Sequence, residues 1–145
     1  MKALIQRVKQ ARVEVNDQCI SAINTGMLVF IGIDAHDTDA SVIALADRLL
    51  KYRLFSDDQG RMNLNIQQSN GEILLVSQFT LSADTKKGLR PGFSSAAAPG
   101  EAERLFNLVA FHLQQRHKLI KTGQFGADMQ VFLQNDGPVT FLLEN

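Results

Sequence analysis

Apolar and polar side chains alternate from the first residues onward. Leu4, Gln6 and Val8 fall on one side of an extended chain, and Ile5, Arg7 and Lys9 fall on the other. A period of two sends successive side chains to opposite faces, so this segment reads as a strand. Val13 and Val15 point one way and Glu14 the other, and Asn16-Asp17-Gln18 is a tight-turn sequence. Residues 20–23 return as the partner strand, Thr25-Gly26 turns again, and the apolar run over 27–33 reads as a buried strand. The period then lengthens. Over 37–52, Val42, Ala46, Leu49 and Leu50 recur at helical spacing, with Asp37 or Thr38 placed to cap the helix. Ser56-Asp57-Asp58-Gln59-Gly60 is a turn, and 73–81 is a second buried strand. Residues 83–99, with Gly88, Pro91, Gly92 and Pro99, form a long loop of a kind that often carries function. A second helix covers 101–115, with Ala102, Leu105, Val109 and Leu113 on one face. Strands at 129–133 and 139–143, joined through Gln134-Asn135-Asp136-Gly137-Pro138, close the pattern.

Strands at both ends with two helices between them predict a mixed α/β (α+β) fold. The expected architecture is one domain over 1–145, with curved sheets or a barrel-like core and two main helices packed outside. A chain of 145 residues suits one such domain. Hydrophobic residues at 45% and charged residues at 21% are ordinary globular values, so the core needs no staples. One cysteine, Cys19, excludes an internal disulfide and fits a reducing compartment. It reads as a small apolar core or strand residue. The first residues lack a long apolar run or cleavage site, and the stretch 27–33 is too short to span a bilayer. A soluble, cytoplasmic protein without a membrane partner is expected. Lys plus Arg and Asp plus Glu stand at 15 each, which argues against a general nucleic-acid coat and against DNA as a partner. A local patch for one RNA end remains compatible with that balance.

Three segments could carry chemistry. In Ser77-Gln78-Phe79-Thr80-Leu81, two hydroxyls and an amide end an apolar strand, where polar groups are ordinarily avoided. Continued alternation would put Ser77 and Phe79 on one face and Gln78 and Thr80 on the other. Hydroxyls that simply bond the backbone at a strand end are the alternative. In Asn135-Asp136-Gly137-Pro138-Val139-Thr140, Gly137 removes side-chain hindrance, and Pro138 makes a cis bond accessible that would turn two carbonyls the same way. A plain strand-to-strand turn would use the same residues. In the loop 86–93, Lys86, Lys87 and Arg90 suit phosphate contact, or else a solvated surface. A serine or threonine nucleophile wants a base, yet His36, His112 and His117 read as surface or helix-end residues. No metal-ligand spacing, P-loop or dinucleotide fingerprint is present, so neither a metal nor a cofactor is expected.

These motifs, taken together, resemble the D-aminoacyl-tRNA deacylase (D-tyrosyl-tRNA deacylase) family over essentially the whole chain. The resemblance rests on Gln6-Arg7-Val8, Met62-Asn63-Leu64, Ser77-Gln78-Phe79-Thr80-Leu81, Arg90-Pro91-Gly92-Phe93, Phe125-Gly126-Ala127-Asp128-Met129 and Asn135-Asp136-Gly137-Pro138-Val139-Thr140. It implies hydrolysis of the ester between tRNA and a D-amino acid, by a homodimer with active sites at the interface. Ser77, Gln78, Phe79 and Thr80 would line the pocket for the terminal adenosine and the ester, with backbone N–H groups at Phe79 and Thr80 as oxyanion donors. Gly137-Pro138, inserted from the partner subunit, would select chirality. Met129 would help hold the adenine, and Arg7, Lys86, Lys87 and Arg90 are the candidate tRNA contacts. Exclusion of an L side chain would leave glycine free to enter, so glycyl-tRNA mischarged on the alanine tRNA becomes an expected substrate. A non-catalytic dimeric module that binds an RNA end or a metabolite is the competing class.

Overall fold

The computed structural model describes residues 1–86 and 88–144. The chain runs β1 (Lys2–Val15), β2 (Gln18–Ile23), β3 (Gly26–Gly32), α1 (Asp39–Lys51), β4 (Phe55–Ser56), β5 (Met62–Leu64), β6 (Glu72–Ser77), a 3-10 turn (Phe79–Ser82), α2 (Pro99–Gln114), β7 (Ile120–Thr122) and β8 (Gln130–Glu144). The main sheet has the order β2-β1-β3-β6-β7, with β8 along the free side of β1. The β3·β6 and β6·β7 pairs are parallel, so α1 and α2 each lie in a crossover connection. The small β4·β5 hairpin stands apart.

β1 explains the curvature. Its first half pairs with β3 and its second half with β2, while β8 follows it nearly end to end. The β1·β8 ladder slips at Gln6/Val8 and again at Val8/Gln10. A slip of one residue sends the following side chains to the opposite face. Ala3 and Ile5 enter one core and Val8 a second by plain alternation, and the extra β1 residue between Val8 and Gln10 sends Ala11 and Val13 to the side of Val8. The second half of β1, with β2 and the start of β8, folds over the sheet as a barrel-like wall. β3 and β6 are sandwiched between the two cores. Met27, Val29, Ile31, Ile73 and Leu75 face the helices, and Leu28, Leu74 and Val76 face the wall. Burial on both faces is why these strands read as unbroken apolar runs.

The mixed α/β architecture with two outer helices matches the sequence expectation, and several boundaries do not. α1 begins at Asp39 behind Thr38, whose N–H donates to Ser41 Oγ at 3.2 Å. Asp37 instead accepts from the Met1 ammonium and from the Asp34 N–H, both at 2.7 Å, and does not cap the helix. α2 starts at Pro99, two residues before the expected Glu101, because proline has no N–H to satisfy in a first turn. The strand expected over 73–81 ends at Ser77, and the chain tightens into the 3-10 turn. The alternation of Ser77 and Phe79 against Gln78 and Thr80 therefore fails. The two strands expected at 129–133 and 139–143 are one strand, and Gly137-Pro138 is a bulge within it. Cys19 lies on β2 as expected of a strand residue, but it is exposed. His117, expected as a surface or helix-end residue, stands at the end of α2, where its N–H donates to the Leu113 carbonyl at 2.8 Å, but its ring is buried with Nε2 2.8 Å from the Gly71 carbonyl. Among the described residues no helix is long and apolar enough to cross a membrane.

Candidate active site

A cavity of about 600 Å³ opens where β6 leaves the sheet. Its wall combines Ser77, Gln78 and Phe79 with Phe93 from the loop before α2 and with Phe125 and Met129 from the segment before β8. Ile31, Val76 and Val131 give it an apolar floor. The Gln78 N–H still donates to the Ile31 carbonyl at 2.8 Å, which is the last tie to β3. The next bond, from the Leu81 N–H to the Gln78 carbonyl at 3.2 Å, closes the 3-10 turn. The N–H groups of Phe79 and Thr80 precede that bond and find no acceptor within the turn, as at the start of any helix. Gln78 Nε2 donates to Thr80 Oγ1 at 2.5 Å, which fixes both side chains across the turn. Phe79 is 60% exposed, and its ring lies 5.0 Å from that of Phe93, centroid to centroid. None of the three histidines lines the cavity.

Gly137-Pro138 is built with equal care elsewhere. The peptide bond is cis, and both residues are exposed. On one side Arg7 donates from Nε to the Asp136 carbonyl and from Nη1 to the Leu54 carbonyl, both at 2.9 Å. Its guanidinium and the Lys9 ammonium also approach the Asp136 carboxylate, at 3.5 and 3.3 Å. On the other side Asn135 Oδ1 accepts from the Val139 N–H at 2.7 Å, and its amide donates to Thr140 Oγ1 at 3.0 Å. Gln6 Nε2 reaches the same hydroxyl at 3.2 Å. Only glycine fits at 137. Its φ is +148°, and an added Cβ would lie 2.6 Å from Val139 Cγ2 and 2.9 Å from the Val139 nitrogen.

The two constructions do not meet within one chain. Gly137 lies six residues along β8 from Val131 in the cavity wall. At ~3.3 Å per residue that is on the order of 20 Å of strand. The fold thus brings Ser77, Gln78, Phe79 and Met129 together around the cavity, holds Thr80 beside them through Gln78, and leaves Gly137 and Pro138 remote. Arg7 is mostly buried beneath the Gly-Pro bulge, with its side chain 13% exposed. Lys86 and Arg90 are exposed on the loop after the 3-10 turn, and Lys87 lies outside the described residues. Reading the sequence for site residues passed over Phe93 and Phe125 of the cavity wall and Asn135, Gln6 and Thr140 around the bulge. All five stand in or beside the quoted motifs, which was the available signal.

Behind the 3-10 turn lies a buried charged cluster. The Met1 ammonium is 2.7 Å from Asp37 Oδ1 and 3.3 Å from Asp34 Oδ2. Burial pushes the Asp34 carboxyl up, but the Ser82 hydroxyl, the Met1 ammonium and Lys2 together bring it below its ordinary value. Neither Asp34 Oδ1 nor Ser82 Oγ makes a hydrogen bond of standard geometry, so the neighbouring charges are the firmer part of that stabilisation.

Free backbone donors beside an amide and a hydroxyl, at the mouth of an apolar cavity, are the equipment of an ester hydrolase. The profile of the D-Tyr-tRNA(Tyr) deacylase family matches residues 4–144. The chain belongs to that family and is a hydrolase acting on the ester bond of D-aminoacyl-tRNA. It is 58% identical over 144 residues to the D-aminoacyl-tRNA deacylase of Cellvibrio japonicus, covering 99% of both chains. It is 57% identical to that of a Marinomonas species, covering 99% of this chain and all of the relative. A solved structure described as a c-Myc DNA unwinding element binding protein superposes with a TM-score of 0.96 at 42% identity, covering 100% of this chain and 99% of the other. A probable eukaryotic D-amino acid tRNA deacylase shares the fold, with a TM-score of 0.88 at 16% identity over 98% of this chain and 97% of the other. The competing reading as a non-catalytic binding module falls with this family membership.

Proposed function

We propose that the chain works as a homodimer in the cytoplasm, that Gly137-Pro138 of one subunit closes the cavity of the other, and that this closure rejects L-aminoacyl esters while admitting D-aminoacyl and glycyl esters. The observation that carries the reading is the separation of two well-built parts. The bulge is locked by Arg7 and Asn135, faces solvent, and stands on the order of 20 Å of strand from its own cavity. A two-fold axis lets each bulge serve the opposite cavity. Phe132, Leu133 and Leu142 on β8 are 39–52% exposed and would be covered by the same contact.

In the cavity, the terminal adenosine would rest against Met129, with the ester at the Phe79 and Thr80 amides. Those donors would stabilise the developing oxyanion, and Gln78 and Thr80 would orient the substrate. No histidine lines the cavity to activate Thr80, so water is the attacking group, assisted by the vicinal ribose hydroxyl. D- and L-esters carry identical groups, and preference for one requires a steric block against the other. Rigid main chain at Gly137-Pro138 supplies such a block, and glycine has no side chain to meet it. The name of one structural neighbour refers to a DNA element, but the equal counts of basic and acidic residues in this chain favour a single tRNA end over a duplex.

Deacylation time courses on D-Ala-, L-Ala- and Gly-tRNA, with a simple activated ester alongside, test the reading. D-Ala- and Gly-tRNA are cleaved, and L-Ala-tRNA and the simple ester persist. If Gly-tRNA resists as firmly as L-Ala-tRNA, the site recognises a D side chain positively and the exclusion mechanism is wrong.

A further inference from the structure

A 3-10 turn of four residues cannot set its own direction. Too few hydrogen bonds hold it, so neighbouring groups must orient it. Three further contacts do so for Phe79–Ser82, beside the Phe79–Phe93 ring contact and the Gln78–Thr80 hydrogen bond. The turn lies flat on Gly32 at the end of β3, where an added Cβ would come 2.7 Å from Leu81 Cβ and 3.3 Å from the Gln78 carbonyl. Ser95 Oγ donates to the Ser82 carbonyl. From β1, Lys2 Nζ donates to the Leu81 carbonyl at 3.1 Å. Lys2 is itself tethered, with its ammonium 3.8 Å from Asp34 Oδ1 and its side chain 26% exposed. The Gly32 and Ser95 contacts are neutral, whereas that of Lys2 is charge-assisted and therefore the stronger kind.

We propose that Lys2 is a positioning residue of the deacylation reaction: anchored by Asp34, its ammonium grips the Leu81 carbonyl and aims the Phe79 and Thr80 amides into the cavity. This rests on the reading that those amides meet the oxyanion. Lys2 touches neither the cavity nor the substrate and acts only through the turn. Oxyanion donors help in proportion to how well they are held before the reaction, and misplacement by about 1 Å can cost roughly 100-fold. Losing the grip therefore slows the chemical step and leaves binding of the tRNA end nearly intact.

Steady-state deacylation of D-Tyr-tRNA by the full chain tests this with Lys2→Met and Lys2→Arg. Lys2→Met keeps the stem and loses the charge. Its kcat is expected to fall about tenfold, less than the roughly 10²–10³ for removing an oxyanion donor outright. KM is expected to stay within about twofold, the pattern of a lost transition-state interaction. Lys2→Arg, which can reach both Leu81 and Asp34, recovers most of the loss. Amide signals of Phe79 and Thr80 in a ¹⁵N spectrum shift in Lys2→Met and return in Lys2→Arg. If Lys2→Met melts at the assay temperature, Lys2→Gln replaces it with the same expectation. A kcat within about twofold of wild type, a loss carried by KM, or a loss that arginine does not recover overturns the proposal. Wild type inactive on D-Tyr-tRNA would sink the underlying functional reading; active wild type with an unimpaired Lys2 variant sinks only the role of Lys2.

Discussion

Thr80 concentrates the mechanistic question at the scale of one residue. Its hydroxyl accepts from Gln78 Nε2, and no histidine lines the adjoining cavity. A hydroxyl in that setting keeps its proton and makes a poor nucleophile. Thr80→Ala should therefore retain activity within about tenfold of wild type, the cost of one positioning contact, or ~1.4 kcal/mol. A substrate whose terminal adenosine lacks the 2′-hydroxyl should be cleaved far more slowly. Rapid-quench rates on the two substrates check both, and an acyl group trapped on Thr80 and seen by mass spectrometry would contradict the water mechanism. Arg7 shows how position alters a residue's role. Read as a candidate phosphate contact, it instead spends its guanidinium on the Asp136 and Leu54 carbonyls. Its proposed task is to hold the chiral filter.

At the scale of an element, β8 carries the proposed assembly. It pairs with β1 along one edge and presents Phe132, Leu133 and Leu142 outward. Its bulge carries Gly137-Pro138 away from the cavity to which its own first residues contribute. Complementation follows. Under the proposed arrangement, Gly137→Ala is expected to disable the bulge, where the Cβ collides with Val139, and Gln78→Ala is expected to disable the cavity by removing both its own amide and the bond that holds Thr80. In a mixed dimer, one of the two sites pairs an intact cavity with an intact bulge. Mixing the two variants under conditions of subunit exchange should restore activity to as much as about a quarter of wild type, since half the dimers are mixed and each has one good site. Mass-tagged subunits establish the exchange, and its occurrence without any recovery of deacylation would show that the bulge does not act in trans.

Charge balance shapes substrate affinity at the scale of the whole molecule. With 15 basic and 15 acidic residues, attraction to tRNA rests on a local group, for which Lys86 and Arg90 on the exposed loop are the candidates. Each phosphate contact adds about 0.7–0.9 to the slope of log affinity against log salt. A slope no steeper than about −3 is expected from fluorescence titration, and one near −10, as for a heavily basic binder, would place the contact elsewhere. Lys86→Ala and Arg90→Ala should each flatten it by about one contact.

Features that depend on neighbours along the chain are legible without the fold. The two helices show in the spacing of Val42 to Leu50 and of Leu105 to Leu113, the buried strands in the runs at 27–33 and 73–77, and the family in motifs such as Asn135 to Thr140. Alternation also foretold β1, but not the two bulges of its ladder with β8, one in β8 at Gly137-Pro138 and one in β1 between Val8 and Gln10 that shifts the phase before Ala11. Those arise from pairing with β8, more than a hundred residues away, and they create both the curvature and the second core. The end of β6 is a similar case. Ser77 to Leu81 reads as continuing strand because nothing local forbids it. It turns at Phe79 because Gly32 leaves a flat seat and Lys2 and Ser95 hold carbonyls of the turn. Local period records which face a side chain prefers, and only packing between distant segments decides where a strand must stop, bend or expose its backbone.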